Sequence, residues 1–117
     1  MKFKQFWNIL QLELRQEKEF TTIKQKKRFS ASAEYNRNHE LVIHIMPESG
    51  KRRGQIPSNE FEGIWDNAKG YSPETRFVNK GGRLDLYPTK NGGMGRSNNI
   101  SYITRLIYEI VQDQDMQ

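Results

Sequence analysis

The stretch "RFSASAEYNRNHELVIHIMP", residues 28–47, decides the fold. In its first half Phe29, Ala31, Ala33 and Tyr35 alternate with Ser30, Ser32 and Glu34, the period of a strand with one buried face. "NRNH" supplies turn residues. In "ELVIHIM" Leu41, Ile43 and Ile45 then fall on one face and Val42, His44 and Met46 on the other. The pattern predicts a β-hairpin. Its second strand is largely apolar on both faces and therefore belongs inside a sheet.

Helical periods flank this hairpin. Phe3, Phe6, Ile9/Leu10 and Leu14 recur at steps of three or four, which predicts an N-terminal helix over residues 2–18. Trp7 and Leu12 widen its apolar surface, so Phe3, Trp7 and Leu12 are candidate contacts for a partner protein or a second copy of the chain, with core packing as the plainer role. Between helix and hairpin, "FTTIKQKKR" reads as a short strand or a turn. After Pro47, Ser58 or Asn59 caps a helix reaching Lys69, with Phe61, Ile64, Trp65 and Ala68 on one face and Glu60 and Glu62 in the first turn. "TRFVN" and "RLDLYP" around "KGG" predict a second hairpin. Ile100, Ile103, Leu106/Ile107 and Ile110 predict a last helix over 99–112.

The two halves share a plan. Each has an Arg-Phe strand, a strand ending in proline (Pro47, Pro88), a glycine-bearing basic loop, a Ser-Asn pair (Ser58-Asn59, Ser97-Asn98) and a helix. The expected architecture is a single α+β domain over 1–117, in the order α-β-β-α-β-β-α, with units at 28–69 and 75–112. Its sheet has four mainly antiparallel strands, with helices on one face and a ββα pseudo-repeat.

Composition narrows the function classes. The chain has 117 residues, 34% apolar and 28% charged, with 13 aromatics and no cysteine, which excludes disulfides, thiolate nucleophiles and cysteine-type zinc sites. Neither a cleavable leader nor a membrane span is evident, so a cytoplasmic location without membrane association is expected. The net charge is +5, and residues 24–53 carry eight Lys/Arg against three acids, a field that attracts polyanions.

Two nucleotide motifs fail. In "ESGKRRG" Arg52 follows Lys51 where the P-loop requires Ser or Thr, and no glycine stands five residues before Gly50. In "GGMGRSNN" Asn98 replaces the third glycine of a dinucleotide fingerprint. No cofactor is implied. What remains is two cationic loops, each leading to a helix N-terminus whose free N–H groups favour an anion. Lys51, Arg52, Arg53 and Ser58 form one group, and Lys90, Arg96, Ser97 and Asn98 the other. If the halves are related, both loops project from one end of the sheet, an arrangement suited to a DNA or RNA backbone. Lys24, Lys26, Lys27 and Arg28, next to Phe29 and Tyr35, form a further basic-aromatic stretch. For catalysis the inventory is thin: His39 and His44 share no face, no carboxylate cluster suggests a metal, and a nuclease could be drawn only from His44, Glu48 and Arg52 or Arg53.

The segments "RFSASAEYNRNHELVIHIMPESGKRRGQIPSNEFEGIW" and "SNNISYITRLI" resemble a small prokaryotic domain family associated with mobile DNA and integron gene cassettes. The resemblance covers about residues 28–110, and its pattern specifies Ser49, Gly50, Lys51, Arg53 and Ile56, then Ser101, Tyr102 and Ile103. It implies no catalytic residues. The reading is therefore a non-enzymatic binding domain that engages nucleic acid through its cationic loops. The alternatives are a protein-interaction module using the N-terminal helix and a small nuclease.

Overall fold

The computed structural model describes residues 1–50, 54–77, 84–89 and 91–117. The elements are α1 (Phe3–Glu13), β1 (Lys18–Thr21), β2 (Arg28–Tyr35), β3 (Leu41–Pro47), β4 (Gln55–Pro57), α2 (Ser58–Ala68), β5 (Leu86–Pro88), β6 (Met94–Arg96) and α3 (Ile100–Val111). They build one α+β domain, with a four-stranded antiparallel sheet ordered β1-β2-β3-β4 and a separate β5-β6 hairpin.

The central hairpin forms where the alternation places it. Phe29, Ala31, Ile43 and Ile45 face the core, with Ala31 opposite Ile45 and Ser32 opposite His44. Asn36 closes the turn: its Oδ1 accepts the N–H groups of Asn38 and Glu40, both at 2.9 Å, and His39 takes the positive φ this geometry needs. All three helices cover the core face. Phe6 and Leu10 of α1, with Leu14 just past its end, meet Phe61, Ile64 and Trp65 of α2 and Ile103, Leu106 and Ile107 of α3. Phe6 lies 5.1 Å from the Trp65 ring, and Phe29 meets Tyr102 edge-on at 4.9 Å, pairings that add to the burial of apolar area.

The structure departs from the sequence-based order in three places. The sheet gains both outer strands from short segments: β1 from "KEFT" and β4 from "QIP". The expected second hairpin does not use residues 75–77. The N–H groups of Thr75 and Arg76 bond the Ser72 carbonyl at 3.1 and 2.9 Å, so this stretch is a turn, as suits Pro73 at its second position. The "KGG" turn lies outside the described residues. Instead β5 pairs with β6 across a loop in which Gly92 takes φ +84°. A proline-ended strand, a glycine loop, a short strand and a helix thus occur twice, as β3-β4-α2 and β5-β6-α3, in separate sheets.

Helix α1 is shorter than the expected 2–18, and Lys18 already belongs to β1. The helix stops at Glu13, and the Leu14 carbonyl accepts the N–H of Ala33 at 2.8 Å. At α2 the β5-β6 hairpin packs very closely: a Cβ built on Gly63 would lie 2.4 Å from the Tyr87 Cβ and 2.8 Å from its Cα. Asn67 fastens the same contact, donating through Nδ2 to the carbonyls of Leu84 (3.0 Å) and Leu86 (2.7 Å).

Candidate functional site

The positions expected to hold anions separate into three groups. Lys51, Arg52, Arg53 and Lys90 lie outside the described residues. Ser58, Arg96 and Asn98 are exposed. Ser58 opens α2, but strand β4 stands between it and the first loop, and Pro57 occupies the cap position with no side-chain cap bond. Ser97 is buried. Its Oγ donates to Glu60 Oε1 at 2.5 Å and accepts the Asn99 N–H at 3.0 Å, and Asn99 Nδ2 donates to the same Glu60 oxygen at 3.2 Å. The entrance to α3 therefore already carries a carboxylate, supplied by α2. That charge complements the helix dipole and opposes a second anion at Ser97.

The stems of the two loops lie at opposite ends of β3. The first loop leaves β3 at Pro47 and returns to β4 after Gly54. The stem of the second, Pro88 and Thr89, lines a hollow with Glu40, Leu41, Ser58 and Asn59, and Asn59 Nδ2 donates to the Pro88 carbonyl at 3.4 Å. Leu41 and Pro47 are opposite ends of β3, about 20 Å apart at a strand's rise. The described stems therefore do not support the expected shared end, and the loop cations Lys51, Arg52, Arg53 and Lys90 lie outside the described residues. The first loop has a different neighbour. Phe29 pairs with Pro47, and the Glu48 N–H bonds the Arg28 carbonyl at 3.0 Å, so the "KQKKR" turn emerges at the same end of the sheet as the stem of the first loop.

The other candidates are placed as follows. Phe3 stacks on Trp7 at 6.0 Å, and Trp7 meets Phe61 at 5.2 Å, so both rings are engaged within the chain. Leu12 remains 60% exposed, with Ile9 36% exposed beside it. His44 faces away from the helices, its Nδ1 3.7 Å from Glu34 Oε1. Glu48 is exposed past the end of the strand, about 13 Å along the chain from His44. Among the described residues no group of three or more His, Asp or Glu could hold a metal ion, and no helix is long and apolar enough to cross a membrane.

A groove runs beside the basic turn. Thr22 is buried and closes the turn, donating its N–H to the Lys27 carbonyl at 2.9 Å and accepting the Lys27 N–H on Oγ1 at 3.1 Å. Lys26 takes φ +54° at the tip. This leaves Lys24, Gln25, Lys26, Lys27 and Arg28 exposed. Facing them, one side of α3 presents Ile100, Ser101, Thr104, Arg105 and Tyr108, and the far wall is Pro73, Glu74 and Phe77 with Leu84 and Asp85. Two hollows, of about 420 and 430 Å³, meet at Ile23 and Phe77.

Arg105 anchors one end of this groove. Its guanidinium stands 5.3 Å over the Phe20 ring and 5.9 Å from that of Tyr108, a cation–π arrangement. Nη2 donates to Glu109 at 3.3 Å, whereas the buried Nη1 has no hydrogen-bond partner. Arg76, 2% exposed, donates through Nη1 to the Gln114 carbonyl at 2.9 Å, a cation placed at the C-terminal end of α3. Glu74 also lines the groove. Its own backbone N–H, the Ser72 hydroxyl and the Arg76 charge hold its carboxyl below the usual range.

Arg105 and Tyr108 are not singled out by the sequence pattern, because the apolar stripe of α3 dominates it. Their signal was a cation and a ring three residues apart on the polar margin of that helix. No protein-family model, no curated protein and no solved structure matches the chain.

Proposed function

We propose that this chain is a non-enzymatic module that binds nucleic acid through the end of the sheet where its basic turn emerges. One observation carries the reading: Lys24, Lys26, Lys27 and Arg28 project at the same end as the stem of the loop that contains Lys51–Arg53, and Lys24, Lys26 and Arg105 line the groove beside that turn. Cations gathered on one surface bind a phosphate backbone by releasing its counterions. Glu74, Asp85 and Glu109 lie nearby, so the attraction is directional and not a uniform positive field.

The test is binding of oligothymidylate and of a DNA duplex as a function of salt. The parent is compared with Lys24→Ala/Lys26→Ala and with Lys51→Ala/Arg52→Ala/Arg53→Ala. Loss of two phosphate contacts flattens the log–log salt slope for single strands by about 1.4. Parallel slopes for parent and both variants would overturn the reading. A second reading, contact with a protein through α1, is favoured by the exposure of Leu12 and Ile9. Leu12→Lys would then shift the sedimentation coefficient of a self-associating parent, and an unchanged coefficient counts against a dimer.

A further inference from the structure

We infer that the groove along α3 takes a single strand, with a base laid against Tyr108 and its neighbouring phosphate at Lys26 and Arg105. This deepens the nucleic-acid reading and rests on it.

The dimensions and lining select the ligand. From Ile100 to Tyr108 the floor of the groove follows nine residues of α3, about 12 Å at a helix's rise. Its walls are not those of a phosphate channel. Ile23 and Phe77 stand at the junction of the two hollows, and Leu84 and Ile100 line the first. The outside of a duplex offers sugars and phosphates, which gain nothing from such walls. An unstacked base, flat and largely apolar on its faces, does gain.

Polarity along the groove orients the ligand. At the Tyr108 end stand Lys26 and Arg105, with Glu74 opposite. At the Ser101 end Lys24, Gln25, Asp85, Ser101 and Thr104 line the same hollow. At the first end Lys26 and Arg105 stand against Glu74 and the Arg105 partner Glu109, and the exposed Lys27 and Arg28 of the adjoining turn tip the balance toward a phosphate. A carboxylate and an amide at the second end suit hydrogen bonds to a base edge.

Two features make Tyr108 and Arg105 the contact points. Tyr108 is 42% exposed, with its ring held perpendicular to Phe77 at 6.4 Å, a fixed platform with an open surface. Arg105 is confined between the rings of Phe20 and Tyr108 and tethered by Glu109. A guanidinium held in this way keeps one position, and its exposed edge on the groove can meet a phosphate oxygen. Arginine's planar fork is suited to that contact.

The experiment compares three probes, oligothymidylate, a duplex of mixed sequence and inorganic polyphosphate, by competition against a labelled strand at low salt. The parent should prefer the single strand to the duplex. Tyr108→Ala should weaken oligothymidylate binding by about 5- to 150-fold, the value of one stacked base, and weaken polyphosphate binding much less. Tyr108→Phe keeps the ring and should bind the strand as the parent does, which separates stacking from loss of fold. Circular dichroism of each variant checks the fold directly. Equal affinity for duplex and strand overturns the inference while leaving the nucleic-acid reading intact, as does an equal loss for strand and polyphosphate in Tyr108→Ala. Failure of the parent to bind any probe overturns both.

Discussion

Replacing Gly63 by alanine should loosen the β5-β6 hairpin from α2, and its cost can be worked from the contact. The new methyl carbon would start 2.4 Å from the Tyr87 Cβ and 2.8 Å from the Tyr87 Cα, with Pro88 Cδ at 3.3 Å. Carbon atoms rest at about 3.5–4.0 Å, so the strand must retreat by roughly 1 Å, and no rotamer change can move a Cα. In an exposed helix the same substitution would stabilise by about 0.8–1 kcal/mol through propensity alone. Against that stand about 1–3 kcal/mol for overpacking and the weakening of the two Asn67 bonds to β5, each worth about 0.5–1.5 kcal/mol. We expect a net loss of about 1–3 kcal/mol, which for a domain of this size lowers Tm by roughly 4–12 °C. The assay is urea unfolding of parent, Gly63→Ala and Gly70→Ala; the last position has nothing nearer than the Asn67 carbonyl at 4.0 Å and should stay within about 0.5 kcal/mol of the parent. Tyr87→Gly combined with Gly63→Ala should cost less than the sum of the two, since the shorter of the clashing contacts is gone. A Gly63→Ala protein as stable as the parent, or more so, would refute the reasoning.

Two further outcomes follow from buried hydrogen bonds. Glu60→Gln removes the charge that Ser97 and Asn99 share and should cost about 1–2 kcal/mol; Ser97→Ala should cost a similar amount, and strict additivity in the double variant would show that the two do not act as one unit. Trp65→Phe retains an aromatic core but deletes the Nε1–H bond to the Gln117 carbonyl at 2.9 Å. We expect a loss of about 1 kcal/mol in urea unfolding beyond the effect of the smaller ring, with faster amide exchange at the C-terminal residues, and unchanged exchange there would count against the bond.

The parts of the fold legible in the sequence are those where side-chain period and burial coincide. Phe29, Ala31, Ile43 and Ile45 alternate and are buried accordingly, whereas Tyr35 at the turn end is exposed and Val42 on the other face is buried; the period of Ile103, Leu106 and Ile107 is that of a helix with one covered face. Strand β4 escaped and β1 was legible only at Phe20 and Thr21, because three and four residues are too few for a period to show; they are strands because a neighbour supplies the ladder. The second hairpin was misplaced because "TRFVN" resembles a strand locally, whereas Ser72 and Pro73 begin a turn and Arg76 is drawn to the end of α3. At the candidate site the basic residues were visible and their grouping was not. Equivalent positions in a repeat implied a shared end for the two loops, but β5 runs beside α2 in its own small sheet, and that placement depends on Gly63 and Asn67. The fate of Ser97 was likewise hidden, since its partner Glu60 is 37 residues away.

The early stop of α1 has a consequence for how the sheet resists self-association. Strand β2 has eight residues and its outer neighbour β1 only four, so part of the β2 edge would otherwise present unpaired backbone groups to another chain. At Ala33 that place is taken by the Leu14 carbonyl. The end of the helix is thus a plug in the sheet edge, and exchange of the Ala33 amide with solvent reports on whether α1 is docked. If α1 detaches, an adhesive strand is uncovered in the same event, so substitutions that weaken the Phe6 and Leu10 contacts should promote aggregation before they unfold the sheet itself.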